Sequence, residues 1–139
     1  MQITETEIFG IKDFINSLNA EKESIVIVEG KRDSLALRKI GFKENVLEFH
    51  RFGGLTKFTD SVSNQKNLII LFDYDRKGKY LTKRVIEQLA RRTKIDLSYK
   101  KKLVRITNGK IRAIEDLDKY EQFLYDVTSF SNEQKIFFN

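Results

Sequence analysis

Hydrophobic positions along this chain fall into short solid runs separated by helically spaced stripes. Residues 68–72 form an unbroken apolar run, Leu68-Ile69-Ile70-Leu71-Phe72, and 24–28 form a second, Ser24-Ile25-Val26-Ile27-Val28. Runs this short, rich in β-branched residues and bounded by polar ones, predict strands buried on both faces. Ile8, Ile11, Phe14, Ile15 and Leu18 share one helical face, so a helix is expected over about 5–19, opened by the capping box Thr4-Glu5-Thr6-Glu7. Leu35, Ala36, Leu37 and Ile40 predict a helix that stops at Gly41, a residue suited to the left-handed conformation past a helix end. A short strand is expected around Val46 to Phe49, and Gly53-Gly54 leads into a helix through Leu55, Phe58 and Val62. Leu81, Val85, Ile86 and Leu89 predict a helix from about Lys79. Leu103-Val104-Arg105-Ile106-Thr107 alternates like a half-exposed strand, and Asn108-Gly109 predicts a hairpin into Lys110 to Ile114. Glu115-Asp116 opens a last helix to about 127, with Leu117, Tyr120, Leu124 and Val127 on its buried face; the tail over 128–139 takes no assignment.

Strands alternating with helices predict an α/β sheet with right-handed crossovers, and such sheets bind ligands at the carboxyl ends of their strands. Both apolar runs end in acid and then glycine: Val28-Glu29-Gly30-Lys31-Arg32-Asp33, and Phe72-Asp73-Tyr74-Asp75-Arg76-Lys77-Gly78. Two aspartates one residue apart after a strand are by themselves also an ordinary turn. A second acidic strand tip changes the balance. If the two strands are neighbours, Glu29, Asp73 and Asp75 converge on one crevice, where their repulsion must be relieved by a cation or a raised pKa. Hard carboxylate oxygens suit Mg²⁺ or Mn²⁺.

Composition narrows the function classes. A chain of 139 residues is expected to form a single domain, and the absence of Cys excludes disulfides and thiolate metal sites. No apolar run approaches the length of a membrane span, so a cytoplasmic protein without membrane contact is expected. The formal net charge of +6 points to polyanionic partners only where the charge is clustered. Between Arg91 and Arg112 there are nine basic residues against the single acid Asp96. Such a run is either a solvated surface or, beside an acidic cleft, a track for a phosphate backbone.

The two acidic tips together, Glu29-Gly30 and, 44 residues beyond Glu29, Asp73-Tyr74-Asp75 with Gly78, resemble the Toprim domain of type IA and type II topoisomerases, DnaG-type primases and the ribonuclease that matures 5S ribosomal RNA. The resemblance covers about 24–107 and looks most like the small stand-alone Toprim proteins. It implies a Rossmann-like α/β fold: a mostly parallel central sheet of about four strands, flanked by helices on both faces. It further implies that Glu29 is the general acid or base close to metal, that Asp73 and Asp75 hold Mg²⁺, that Gly30 permits the turn, and that Asp33 braces the loop or helix start. Lys31, Arg32, Arg76 and Lys77 flank the tips and are candidates for holding phosphates, although each is also an ordinary surface charge. Glu115 is similar to an acid that small Toprim nucleases place late in the chain, and a helix-start Glu explains it equally.

The expected function is a metal-dependent phosphodiesterase or nuclease, with RNA favoured over DNA and with room for protein partners in an RNA-processing complex. The alternative is a non-catalytic RNA- or DNA-binding subunit. A haloacid dehalogenase phosphatase also carries D-x-D, but expects Thr or Val where this chain has Lys77 and places the motif on its first strand. A response-regulator receiver wants paired acids after the first strand, which Glu29-Gly30 does not supply. The lone His50 reads as a loop residue.

Overall fold

A computed structural model describes residues 2–124. The first helix, α1 (Glu5–Asn19), starts where the capping pattern places it: the Glu7 backbone N–H donates to Thr4 Oγ1 at 3.1 Å. β1 (Ser24–Val28) follows, then α2 (Lys31–Lys39), β2 (Val46–Glu48) and a 3-10 turn over Phe49–Arg51. α3 (Leu55–Val62), β3 (Asn67–Ile70) and α4 (Arg76–Leu89) form the second half-unit, and β4 (Lys94–Asp96) leads into α5 (Ser98–Ile106). A 3-10 helix spans Ile114–Tyr120 where an α-helix from 115 was expected, and Val127 with the tail lies outside the described residues.

All three strand pairings are parallel, in the order β2-β1-β3-β4. Because β1 and β3 are adjacent but not consecutive, successive connections leave in opposite directions on either side of them, and a crevice opens at their carboxyl ends. Alternation along these two strands divides the core. Val26, Val28, Ile69 and Leu71 pack with α1, α2, α5 and the Ile114–Tyr120 segment; Ile27, Leu68, Ile70 and Phe72 pack with α3 and α4. Helices on both faces therefore bury both sides of the strands, which is why the runs are solidly apolar.

Three expectations need correction. Leu103 to Thr107 is not a strand: it belongs to α5, whose buried face carries Lys100 and Leu103. Asn108-Gly109 does not turn a hairpin but ends that helix. Asn108 takes φ 52° and Gly109 φ 78°, the Asn108 N–H donates to the Arg105 carbonyl and the Gly109 N–H to the Val104 carbonyl at 2.9 Å. That paired pattern closes a helix through a left-handed residue. The fourth strand is instead Lys94–Asp96, a three-residue edge with no apolar run. Of the apolar residues that predict α2, Ala36, Leu37 and Ile40 are buried and Leu35 is 48% exposed.

Candidate functional site

β1 and β3 bring the two acidic tips side by side. The Leu71 N–H donates to the Ile27 carbonyl at 2.9 Å, and the next rung of a parallel ladder would join the Asp73 N–H to the Glu29 carbonyl. The chain does otherwise. The Asp73 N–H donates to the Glu29 carboxylate, Oε2, at 2.8 Å, while the Glu29 carbonyl accepts from the His50 N–H at 2.9 Å. The strand tips splay, and the Glu29 side chain fills the missing rung, which buries it to 7% exposure between them.

Asp73 continues the alternation of Ile69 and Leu71 toward the Ile114–Tyr120 segment, where its Oδ1 accepts the Ile114 N–H at 3.1 Å. Burial pushes the Asp73 carboxyl up to about 6, reinforced by the charges of Glu29, Asp33 and Asp75 and opposed by the Ile114 N–H. Asp33, expected to brace the start of α2, does so by accepting the Gly30 N–H on Oδ2 at 3.0 Å. Its carboxyl is also raised, by burial first and then by Glu29 and Glu115. Asp75 caps α4: its Oδ1 accepts the Gly78 N–H at 2.7 Å, and its side chain stays exposed. Glu29, Asp33 and Asp75 all act on Asp73 through their charge, and a backbone N–H fixes one oxygen of each of the four.

The two glycines of the motif act through size. Gly30 has φ −147°, an extended conformation open to any residue, but a Cβ there would lie 3.2 Å from His50 Nδ1. A Cβ on Gly78 would collide with the Asp73 backbone, so only glycine lets α4 begin against the acidic loop.

The predicted phosphate-binding residues are arranged less uniformly. Arg76 and Lys77 occupy the first turn of α4, which begins earlier than the expected Lys79, and Lys31 opens α2; all three are exposed. Arg32 lies 4.0 Å from Glu115 in a largely solvated pair. The basic run from Arg91 to Arg112 does not make one track. Arg91, Arg92 and Lys94 sit where β4 begins, in register with Asn67 at the entry end of β3 and away from the acids. Lys102 is paired with Asp13 at 2.8 Å and Lys110 with Glu7 at 2.6 Å, so both serve the packing of α1.

Sequence reasoning passed over the residue closest in character to a site group, Lys100. It is 7% exposed, and burial lowers its ammonium pKa while Glu29, Asp73 and Asp75 act in the opposite direction. Its Nζ lies 5.5 Å from the centre of the Tyr74 ring. The signal was concealed by reading 103–107 as a strand; on a helix, Lys100, Leu103 and Thr107 share the buried face at three- and four-residue spacing.

The donor set fits a divalent cation held openly. Hard oxygens of Asp73 and Asp75 remain beyond those bound by N–H groups, and the Asp73 carboxyl is raised by burial first and then by the charges of Glu29, Asp33 and Asp75. No group of three or more His, Cys, Asp or Glu among the described residues is close enough to enclose an ion. In general, Mg²⁺ keeps several waters and takes one or two carboxylates alongside substrate phosphate.

Comparison with known proteins agrees with this geometry. The Toprim domain profile matches residues 23–100, more than half of the chain and both acidic tips. A UPF0292 protein of Thermococcus sibiricus is 34% identical over 98 residues, covering 70% of this chain and 77% of its own. One from Methanosarcina acetivorans is 31% identical over 118 residues, covering 84% and 81%. A solved structure of a protein from Aquifex aeolicus superposes with a TM-score of 0.61 at 27% identity, over 75% of this chain and 94% of that one. The chain belongs to the Toprim domain family, whose shared module serves metal-dependent nucleic-acid processing.

Proposed function

We propose that this protein is a divalent-metal-dependent nuclease that cleaves phosphodiester bonds in nucleic acid, RNA in preference to DNA. The observation that carries the reading is the contact between Glu29 and the Asp73 backbone at 2.8 Å, which sets a buried carboxylate beside the aspartate pair. Asp73 and Asp75 would hold Mg²⁺ or Mn²⁺, and the bound ion supplies charge neutralisation on the scissile phosphate. Glu29 keeps its second oxygen, Oε1, for a proton taken from an attacking water or returned to a leaving oxygen. Asp33 keeps the Gly30 turn closed beneath it. Lys31, Arg32, Arg76 and Lys77 stand at the rim as phosphate contacts.

A second reading, a non-catalytic RNA- or DNA-binding subunit of a larger processing complex, uses the same acids and the same basic groups. Incubating labelled single-stranded RNA and DNA with Mg²⁺ or Mn²⁺ separates the two. Cleavage by the wild type that falls by roughly 10²-fold or more in Glu29→Gln and Asp73→Asn, with binding retained, supports the nuclease. Equal residual cleavage in wild type and both variants overturns it.

A further inference from the structure

Three cations from three separate elements meet over one aromatic ring beside the acids. Lys79 Nζ lies 4.2 Å from the centre of the Tyr74 ring, Lys100 Nζ 5.5 Å and Arg112 Cζ 5.7 Å. The ring is fixed from behind, because the Tyr74 backbone N–H donates to the Arg112 carbonyl at 2.6 Å and ties the D-x-D loop to the segment after α5. No ion pair with an acid within 4.0 Å engages any of the three among the described residues. Lys100 as a residue is 7% exposed, and the acids that act on it, Glu29, Asp73 and Asp75, make no ion pair with it within 4.0 Å among the described residues.

The placement is costly in two ways, and the nearby Glu29, Asp73 and Asp75 offset part of the cost. Burial lowers the Lys100 pKa, and the like charge of Lys79 adds to that effect. Lys79 and Lys100 also stand near the starts of α4 and α5, whose first turns contain no acid, so both oppose the helix dipole. Cation–π contact with Tyr74 offsets part of this. A bound anion would offset more of it.

We propose that Lys79, Lys100 and Arg112, gathered around Tyr74, form the seat for a phosphodiester of the nucleic-acid strand, adjacent to the phosphate held at the aspartate pair. The inference rests on the nucleic-acid reading above and gives it a direction. The strand enters between α4 and α5, across the β3 tip, rather than along the whole basic run. Lys79 and Arg112 are exposed and approach from outside, whereas Lys100 presents a charge from beneath. The seat therefore grips backbone, and it is indifferent to base identity.

The test uses the full chain and a short fluorescent single-stranded RNA in EDTA, so that neither cleavage nor metal bridging contributes. Lys79→Gln, Lys100→Gln and Arg112→Gln are each expected to weaken binding about tenfold and to lower the slope of log affinity against log salt by roughly one. Lys101→Gln and Arg91→Gln, exposed charges outside the seat, are expected to change it less than about twofold. Equal losses at all five positions overturn the proposal in favour of diffuse charge. Unchanged binding in the first three overturns it in favour of cations that only balance the carboxylates. Should Lys100→Gln lose its thermal unfolding transition, the exposed Lys79 and Arg112 variants decide alone. Selective loss in a wild-type protein that cleaves nothing with Mg²⁺ supports the seat and sinks the nuclease; cleavage with no selective loss does the reverse.

Discussion

Glu7 and Asp73 are held in this molecule on opposite principles. Glu7, 2% exposed on α1, receives the Lys110 ammonium on Oε1 at 2.6 Å and the Tyr120 hydroxyl on Oε2 at 2.9 Å. Burial alone would raise its pKa, but those partners outweigh it and hold the carboxyl below its ordinary value. Asp73 is also held by hydrogen bonding, yet its neighbours are Glu29, Asp33 and Asp75, and its carboxyl is pushed up to about 6. An acid that serves the fold is matched to cations and donors. Asp73 is fixed in place by a backbone N–H and stands among like charges, the pattern common at functional sites. At neutral pH the ionised Glu7 adds to stability and the ionised Asp73 subtracts from it.

Removing the matched acid is the largest perturbation. Glu7→Ala leaves Lys110 and Tyr120 without their shared partner and is expected to cost about 2–4 kcal/mol in urea unfolding at pH 7. Because the Glu7 pKa is lowered in the folded state, its contribution is present at neutral pH and lost as pH falls through the folded value, so the variant's deficit shrinks in acid. Gly78→Ala strikes the frame around Asp73 without touching a charge. The collision with the Asp73 backbone predicts a loss of about 1–3 kcal/mol and a displaced D-x-D loop, read as a lower urea midpoint together with weakened metal binding.

The smallest effect has the opposite sign. Ionisation of Asp73 costs the folded state stability as pH rises from the ordinary carboxylate range through about 6. In metal-free buffer at pH 8, Asp73→Asn is therefore expected to gain about 1–2 kcal/mol, a gain that disappears in acid as the carboxyl is protonated in both states. A variant that gained nothing at pH 8 would erase the contrast between the two acids.

The parts of the molecule legible in the sequence are those where one local cause dominates. β1 and β3 declare themselves because burial on both faces demands solid apolar runs. Gly41 ends α2 as expected: it takes φ 106°, and the Phe42 N–H reaches the Leu37 carbonyl at 2.9 Å. The same device at Asn108-Gly109 was misread because two successive residues of positive φ also make the favoured hairpin turn, and nothing local separates the two. β4 escaped notice because a three-residue edge strand is half exposed and carries no hydrophobic signature. It was recoverable only from topology, since the α4 crossover needs a parallel strand beside β3. Within the site, the motif announced Glu29, Asp73, Asp75, Asp33 and Gly78. The grouping of Lys79, Lys100 and Arg112 depends on α5 being helical and on a loop more than thirty residues from the D-x-D tip, which no local pattern records.

The Glu29 carboxylate standing in for a rung between two strands makes that side chain mortar as well as reagent. An amide in its place preserves the masonry while emptying it of charge; an alanine forfeits both together. Drift at this position is thus closed from two sides, and even a descendant that gave up its chemistry would have cause to keep an oxygen there.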